Sequence, residues 1–174
     1  GIPQDSLVTS ATNFGLNIPV SLDLAGSFNY NLIKVSDGNG CSRVLNSNAT
    51  INVNPLPTAT IGGSVTVCEG ASSPFVVLTG GSGTRPFIFS YKLHNSTYTV
   101  TSSPGSDQVF IPAQTSMVGI DTFQLISVTD SNGCTQTQAG EAYITIKPLP
   151  SATISGGGTF CSYTGGNTPI TFSG

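Results

Sequence analysis

Charged side chains are scarce in this sequence. Lys, Arg, Asp and Glu supply 7% of its 174 residues, against about a quarter in ordinary soluble domains, and the formal net charge is −3. The five Lys and Arg residues are scattered along the chain, so they form no basic patch that would suit a nucleic acid. No apolar run approaches the ~20 residues that a membrane-spanning helix needs, so we expect no membrane insertion.

Residues that suit catalysis are scarce as well. His94 is the only histidine, and no Ser or Cys nucleophile with an orienting acid accompanies it in the sequence. The eight acidic residues include no close pair of the kind that glycosidases use. The Gly-rich stretch 80–83 lacks the Lys-Ser/Thr ending of a phosphate-binding loop, so we interpret it as a flexible connector. The sequence therefore predicts no enzyme, no cofactor and no metal site.

One segment of the sequence occurs twice with small changes. Residues 54–63 read Asn-Pro-Leu-Pro-Thr-Ala-Thr-Ile-Gly-Gly, and residues 147–157 read Lys-Pro-Leu-Pro-Ser-Ala-Thr-Ile-Ser-Gly-Gly. The same step of 93 residues separates three pairs of landmarks: Pro55 and Pro148, Cys41 and Cys134, and Cys68 and Cys161. Several landmarks at one spacing predict a tandem repeat.

The repeat divides the chain into three parts. Residues 1–57 are expected to be the back part of one repeat, residues 58–150 a complete repeat, and residues 151–174 the front part of a third. The Pro-Leu-Pro sequence at each boundary restricts the backbone and favours an extended, semi-stiff joint.

The complete repeat has the pattern of an all-β domain. Phe87, Phe89 and Tyr91 alternate with other residues at the period of a β-strand. These three residues and Tyr98 could form an aromatic platform for sugar rings, but the alternation favours the core. The segments 28–35 and 121–128 share a slip in the phase of their apolar alternation, which predicts either a β-bulge or a strand buried on both faces, in the central strand of the repeat. About seven short strands without helical spacing predict tandem immunoglobulin-like β-sandwich repeats of about 93 residues, with a small barrel as the alternative.

Two segments have the composition of tight turns. Residues 36–41 and 129–134 both contain Asp, Asn and Gly and end in Cys. Asp37 with Asn39, and Asp130 with Asn132, could offer oxygen atoms to calcium, but six or more oxygens are needed and no further acids cluster nearby in sequence. We therefore interpret both segments as hairpin turns.

The four cysteines recur in two register-matched pairs. They lack the CxxC spacing and the His partner of a zinc site, so disulfides in an oxidising compartment are expected. Within the complete repeat, Cys68 and Cys134 are the natural partners and are predicted to form a disulfide, which would leave the partners of Cys41 and Cys161 outside the chain. Against it, a plain immunoglobulin topology places Cys68 and Cys134 at opposite ends of the sandwich. Either the first strand bends back at Gly62-Gly63, or the bond joins neighbouring repeats.

Three short motifs together resemble a known family of repeats. These are Val67-Cys-Glu-Gly70, the Val-Thr-Asp-Ser-Asn-Gly-Cys segment at 128–134, and the Pro-Leu-Pro joint. The combination resembles the SprB-type repeats, akin to PKD-like and other immunoglobulin-like modules, of very large Bacteroidetes gliding adhesins. The resemblance covers the whole chain, although Tyr163 stands where Gly70 stands in the other copy. It implies export by type IX secretion and display on the cell surface as a filament or stalk that touches the substratum.

The resemblance also implies a modification site and partners. Family members are often O-glycosylated at Asp-Ser/Thr before an aliphatic residue, which Asp5-Ser6-Leu7 matches at Ser6. An ordinary polar turn explains this short motif equally well. We expect a structural repeat of an extracellular adhesin or surface filament, with neighbouring repeats, other copies in a filament, and a surface polysaccharide or substratum as partners. The alternative is a glycan-binding accessory module of an exported protein.

Overall fold

The computed structural model describes residue 15, residues 17–162 and residues 167–174. The chain divides into two compact units, residues 1–55 and residues 56–174. All regular secondary structure in the described residues is β-strand, and these residues contain no helix. The all-β class predicted from the sequence is therefore confirmed.

The first unit contains an antiparallel pair of strands, β1 (Gly26–Ser36) and β2 (Ser42–Val53). Their register shifts between Leu32 and Lys34, where two residues of β2, Leu45 and Asn46, lie opposite the single residue Ile33 of β1. The extra residue of this bulge therefore belongs to β2 and not to β1, where the phase slip predicted it.

The alternation of Ile18 and Val20 with Asn17 and Pro19 predicts a strand, but this prediction is wrong, because residues 17–20 form no strand in the structure. Apolar alternation makes a strand only where a partner supplies hydrogen bonds, and none pairs with these residues among those that the structure describes.

The described residues of the second unit contain eleven strands. They are β3 (Thr58–Gly62), β4 (Val65–Cys68), β5 (Phe75–Gly81), β6 (Ile88–Leu93), β7 (Ser96–Thr101), β8 (Gln108–Pro112), β9 (Gly119–Thr129), β10 (Thr135–Thr137), β11 (Glu141–Lys147), β12 (Thr153–Gly156) and β13 (Ile170–Ser173). One sheet has the order β3-β5-β8, and the larger sheet has the order β4-β11-β9-β6-β7 with β10 paired to β9. The strands β12 and β13 form a separate antiparallel pair.

The two larger sheets share one hydrophobic core, an arrangement compatible with a β-sandwich. Its fully buried side chains come from both sheets and include Val76 and Leu78 of β5, Phe89 of β6, and Phe123 and Leu125 of β9. All core residues lie between positions 59 and 146. Residues 56–147, which we call the sandwich segment, therefore contain both sheets and the described core residues that pack between them.

The first strand of the sandwich segment changes sheets at Gly62-Gly63. β3 pairs antiparallel with β5, whereas β4 pairs parallel with β11 in the other sheet. Gly63 has a φ of +102°, and a Cβ atom there would lie 2.3 Å from the carbonyl oxygen of Phe75. Only glycine fits such a left-handed backbone at this close approach. The predicted break of the strand at these glycines is confirmed.

The strand β9 lies at the centre of the larger sheet, between β11 and β6. Ser90 pairs with Ser127 but Tyr91 pairs with Leu125, so Ile126 is the extra residue of a bulge. The predicted bulge in a central strand is confirmed, and it lets side chains on both sides of the slip reach the core.

Candidate functional site

Polar contacts are present at both ends of the sandwich segment. We call the end that holds Pro57 the N-terminal end and the end that holds Lys147 the C-terminal end. The N-terminal end is built around Asp130, which is only 3% exposed. Its Oδ1 accepts hydrogen bonds from the amides of Asn132 and Cys134, both at 3.0 Å, and its Oδ2 accepts one from the amide of Thr84, also at 3.0 Å.

These contacts fit the hairpin turn predicted for residues 129–134. Gly133 has a φ of +81°, and the amide of Asp130 donates to the carbonyl of Cys134 to close the turn. Both carboxylate oxygens already accept N–H donors, which leaves them poorly placed to bind a cation. The carboxylate instead attaches the turn to the connection between β5 and β6.

That connection is closely packed, and its interpretation as a flexible connector is wrong. Gly80 and Gly81 belong to β5, and a Cβ atom on Gly80 would lie 2.6 Å from the ring of Phe87. A Cβ atom on Gly83 would lie 2.9 Å from the Cβ atoms of both Asp130 and Pro57. The glycines are therefore required by close packing of backbone against side chains at the N-terminal end.

An exposed ion pair lies beside this connection. Arg85 donates from Nε and Nη2 to the two carboxylate oxygens of Asp107, and both residues line a shallow depression of about 490 Å³. Hydrogen bonds from Arg85 lower the pKa of the Asp107 carboxyl, and those bonds together with the Asp107 charge raise the pKa of Arg85. The pair is open to solvent, so we assign it little stability.

The Asp107 carboxyl should titrate below the usual range of an aspartate. Replacing Arg85 with glutamine should raise its pKa, because the hydrogen bonds to the charged form weaken. A pKa lowered by folding gives stability that is present above the unfolded pKa and is lost as the pH falls through the folded pKa. A carboxyl-detected NMR titration of the wild-type chain and of Arg85→Gln checks the shift, and equal midpoints in the two chains would contradict it.

The C-terminal end of the sandwich segment holds Cys68. Cys68 is the last residue of β4 and pairs with Lys147, the last residue of β11, while the amide of Glu69 donates to the carbonyl of Lys147 at 2.8 Å. The turn after Cys68 uses Gly70 with a φ of +75°. The carbonyl of Thr115 accepts a hydrogen bond from the Gly70 amide at 2.9 Å, which fastens this turn to the segment before β9.

The predicted bond between Cys68 and Cys134 does not fit this fold. Cys68 lies at the C-terminal end beside Lys147, next to where β9 begins, since Ile146 pairs with Gly119. Cys134 follows the other end of β9, which has 11 residues and therefore spans about 30 Å. A disulfide needs Cα atoms within ~7 Å. All four cysteines are free thiols in the structure.

A row of polar side chains crosses the solvent face of the larger sheet. Lys92 and Glu141 are the register neighbours of Gln124 on either side, and the Gln124 Nε2 donates to the Glu141 carboxylate at 3.4 Å. Tyr143 also donates to Glu141, and this hydrogen bond raises the pKa of Tyr143. Sequence reasoning missed this row because its members come from three strands that are distant in the chain.

His94 lies beside this row on the surface. It is 68% exposed and its Nε2 lies 3.0 Å from Oδ1 of Asp121. The shallow depression there, of about 240 Å³, is lined by Lys92, His94, Ile120, Thr122, Gln124 and Glu141. This lining contains neither a Ser nor a Cys, so His94 has no nucleophile to activate in it. An ion pair at the surface is what the geometry offers.

The aromatic residues divide between core and surface. Phe87, Phe89 and Tyr91 are buried, which confirms the assignment of their alternating pattern to the core. Tyr98 is 46% exposed and its ring stacks on Tyr91 with centroids 5.6 Å apart. A single exposed ring does not make the sugar platform that the four residues could have formed.

Two of the sequence predictions lie outside the described residues. These are the glycosylation motif at Ser6 and the altered turn at Tyr163. In the part of the chain that the structure describes, no group of three or more His, Cys, Asp and Glu residues could hold a metal ion. No helix among those residues has the length and apolar character to cross a membrane.

Comparison with known proteins adds no relative to this picture. No protein-family model matches the chain, and no curated protein matches it.

Proposed function

We propose that the chain is a stretch of tandem immunoglobulin-like repeats of about 93 residues in an extracellular bacterial adhesin or surface filament. The observation that carries this proposal is the recurrence of structure at the step of 93 residues found in the sequence. β1 covers Gly26–Ser36 and β9 covers Gly119–Thr129, so both strands have 11 residues and begin and end one step apart. Register shifts also fall at Ile33 and Ile126, one step apart, although the extra residue lies in the partner strand β2 in the first case and in β9 itself in the second.

The turns after these two strands make the same contacts. The Oδ1 of Asp37 accepts hydrogen bonds from the amides of Asn39 and Cys41 at 3.0 and 2.8 Å. The Oδ1 of Asp130 accepts the corresponding bonds from Asn132 and Cys134. Equal contacts at equal spacing support the interpretation of residues 1–57 as the back part of a repeat.

The front part of the repeat recurs as well. Gly63 and Gly156 have φ angles of +102° and +106°. A Cβ atom on Gly156 would lie 2.6 Å from the carbonyl oxygen of Pro169, just as one on Gly63 would meet Phe75. The pair β12–β13 thus follows the pattern of β3–β5, which supports residues 151–174 as the front part of a further repeat.

The strand order supports an immunoglobulin-like repeat. A three-stranded sheet faces a larger sheet, and the first strand is shared between them by the change at Gly62-Gly63. Sandwiches of this kind have about seven short strands in about 100 residues.

The points where the chain enters and leaves the sandwich segment suit a structural module that extends a filament. The chain enters at Pro57, at one end of the larger sheet, and leaves after Lys147, at the other end. The chain therefore enters and leaves the sandwich segment at opposite ends, and each boundary carries the short Pro-Leu-Pro sequence. Few exposed ion pairs exist for salt to screen, so an array of these repeats would keep its stability across ionic strengths.

Surface location, type IX secretion and adhesion rest on the resemblance of the motifs to SprB-type repeats. Partners would be neighbouring repeats, other copies in a filament, and a surface polysaccharide or substratum. The burial of Phe87, Phe89 and Tyr91 argues against the aromatic platform, which is one way in which the alternative, a glycan-binding accessory module, would bind sugar rings. We therefore propose the structural role.

Fab fragments raised against residues 58–150 should label intact cells of the source organism and reduce their attachment to a surface. Flow cytometry measures the labelling, and a flow-chamber assay measures attachment. Fabs saturated with the purified chain are the matched control and should have neither effect. Labelling that appears only after the cells are permeabilised would refute a surface adhesin.

A further inference from the structure

We propose that the strand β7 is an interaction surface at which two copies of the chain pair edge to edge. The two β7 strands would run antiparallel about a two-fold axis at Thr99, which joins the larger sheets of both molecules into one. The inference deepens the proposed function and rests on it for the kind of partner, since other copies in a filament are among the partners proposed above.

The outer edge of β7 has backbone groups that no described residue pairs with. β7 is the last strand in the order of the larger sheet, and β6 is its neighbour on one side. The ladder between them continues one residue beyond β7, where the amide of Ser102 donates to the carbonyl of Phe87 at 2.8 Å. Since alternate residues of an antiparallel strand point their N–H and C=O groups to opposite sides, those of Thr97, Thr99 and Thr101 point away from β6.

The sequence of β7 has none of the features that keep an exposed edge from pairing. Its six residues are Ser-Thr-Tyr-Thr-Val-Thr, with no charged residue, no proline and no glycine. Charged side chains, prolines and bulges are the usual protection of an edge strand. The register between β7 and β6 also runs without a shift from one end to the other. β7 therefore presents a regular, neutral edge of the kind to which another strand can be added.

The edge strand β8 of the other sheet is protected, in contrast. The amide of Ala113 donates to the carbonyl of Pro74, so by the same alternation the backbone groups of Gln108 and Pro112 point to the open side of β8. The Ser106 hydroxyl accepts a hydrogen bond from the Gln108 amide and donates one to the Gln108 carbonyl, both at 3.0 Å. Pro112 has no N–H to offer. The described residues supply no comparable contact to the outer groups of β7.

The residues of β7 match a second copy of the same strand. In an antiparallel pair centred on Thr99, Thr97 lies opposite Thr101 of the second copy, so all outward-pointing positions place threonine opposite threonine. Such cross-strand pairs are favourable, and no like charges meet. On the opposite face, Tyr98 comes opposite Val100 of the second copy. Tyr98 is 46% exposed, so its ring gains apolar contact in the pair.

This contact is weak between two single molecules. Six residues of one strand edge on each side bury far less than the roughly 1,200 Å² of a stable protein–protein interface. A filament that carries many repeats presents the same edge many times, and linked contacts of this kind strengthen one another. For the isolated chain, we therefore expect association at high protein concentration.

Concentration-dependent association of the full chain tests the proposal. Sedimentation velocity under reducing conditions, which keep the thiols from cross-linking, should show a monomer–dimer equilibrium between about 10 μM and about 1 mM. Thr99→Lys places two like charges opposite each other at the axis and should raise the dissociation constant about tenfold or more. Thr60→Lys, the same change at an exposed position of β3 in the other sheet, should leave the dissociation constant unchanged.

NMR at the two ends of this concentration range identifies the strand that pairs. The amide hydrogens of Thr97, Thr99 and Thr101 should exchange more slowly at the high concentration, because they become hydrogen-bonded. Those of Tyr98 and Val100 already point to β6 and should not change. In a mixture of ¹⁵N-labelled and ¹³C-labelled chains, intermolecular contacts should join the two β7 strands.

Three results would overturn the proposal. They are a chain that stays monomeric at the highest concentration, a dimer that Thr99→Lys does not weaken, and intermolecular contacts that join β7 to a different segment of the chain. Each of these failures leaves the proposed function standing, because the labelling of intact cells by Fab fragments does not depend on pairing at β7. Pairing at β7 without labelling of intact cells would instead refute the surface adhesin alone.

Discussion

Replacing Gly63 with alanine should lower the free energy of unfolding of the sandwich segment by about 3–5 kcal/mol. The new Cβ atom would lie 2.3 Å from the carbonyl oxygen of Phe75 and 3.1 Å from the Cα atom of Val76. Both are backbone atoms of β5, so no side-chain rotation can relieve the contact. The φ of +102° adds strain that a non-glycine residue carries at this position.

The neighbouring Gly62 supplies the matched control. A Cβ atom on Gly62 would meet nothing within 4 Å, and its φ lies outside the left-handed range, so Gly62→Ala should change the free energy of unfolding by less than about 1 kcal/mol. Urea unfolding of residues 56–150, followed by far-UV circular dichroism, measures both variants. Similar midpoints for Gly62→Ala and Gly63→Ala would mean that the change of sheets does not depend on the backbone of Gly63.

The positions of these two glycines could be predicted from the sequence, but the change of sheets could not. A Gly-Gly pair inside an apolar alternation predicts a break wherever it occurs. The partners of the two halves are β5 and β11, which lie about 15 and 80 residues further along the chain. Local pattern contains no information about such distant pairing, so the parallel contact between β4 and β11 appears only in the structure.

The slip in the apolar alternation of residues 121–128 was a more informative signal, because it predicted the bulge in β9. Apolar residues on both sides of Ile126 could be placed on one core face only if one residue was extra, and the structure makes Ile126 that residue. The same period-two alternation also predicted a strand at residues 17–20, which the structure does not contain. Alternation shows which face a strand would bury, but not whether a partner strand exists.

The ends of the sandwich segment were the least predictable part. The stretch 80–83 has the composition of a flexible loop, yet its glycines are needed because Phe87, Asp130 and Pro57 crowd it. The row formed by Lys92, Gln124 and Glu141 depends on cross-strand register in the same way. Both features are contacts between residues far apart in sequence, where composition has no predictive value.

Replacing Asp130 with alanine should lower the free energy of unfolding of the sandwich segment by about 2–4 kcal/mol. The carboxylate is almost fully buried and accepts the amides of Thr84, Asn132 and Cys134, so its removal leaves three donors without their acceptor. The amide hydrogens of these residues should also exchange faster with solvent, because the turn is no longer held to the β5–β6 connection. Urea unfolding and hydrogen exchange of residues 56–150 measure the two effects.

Two control variants show which property of Asp130 matters. Asp107 is a carboxylate paired only with exposed Arg85, so Asp107→Ala should move the unfolding midpoint far less than Asp130→Ala. Asp130→Asn keeps the shape and one acceptor oxygen but loses the charge, so its effect should fall between those of Asp130→Ala and the wild type. If Asp130→Ala unfolds at the wild-type midpoint, the turn is held by other contacts.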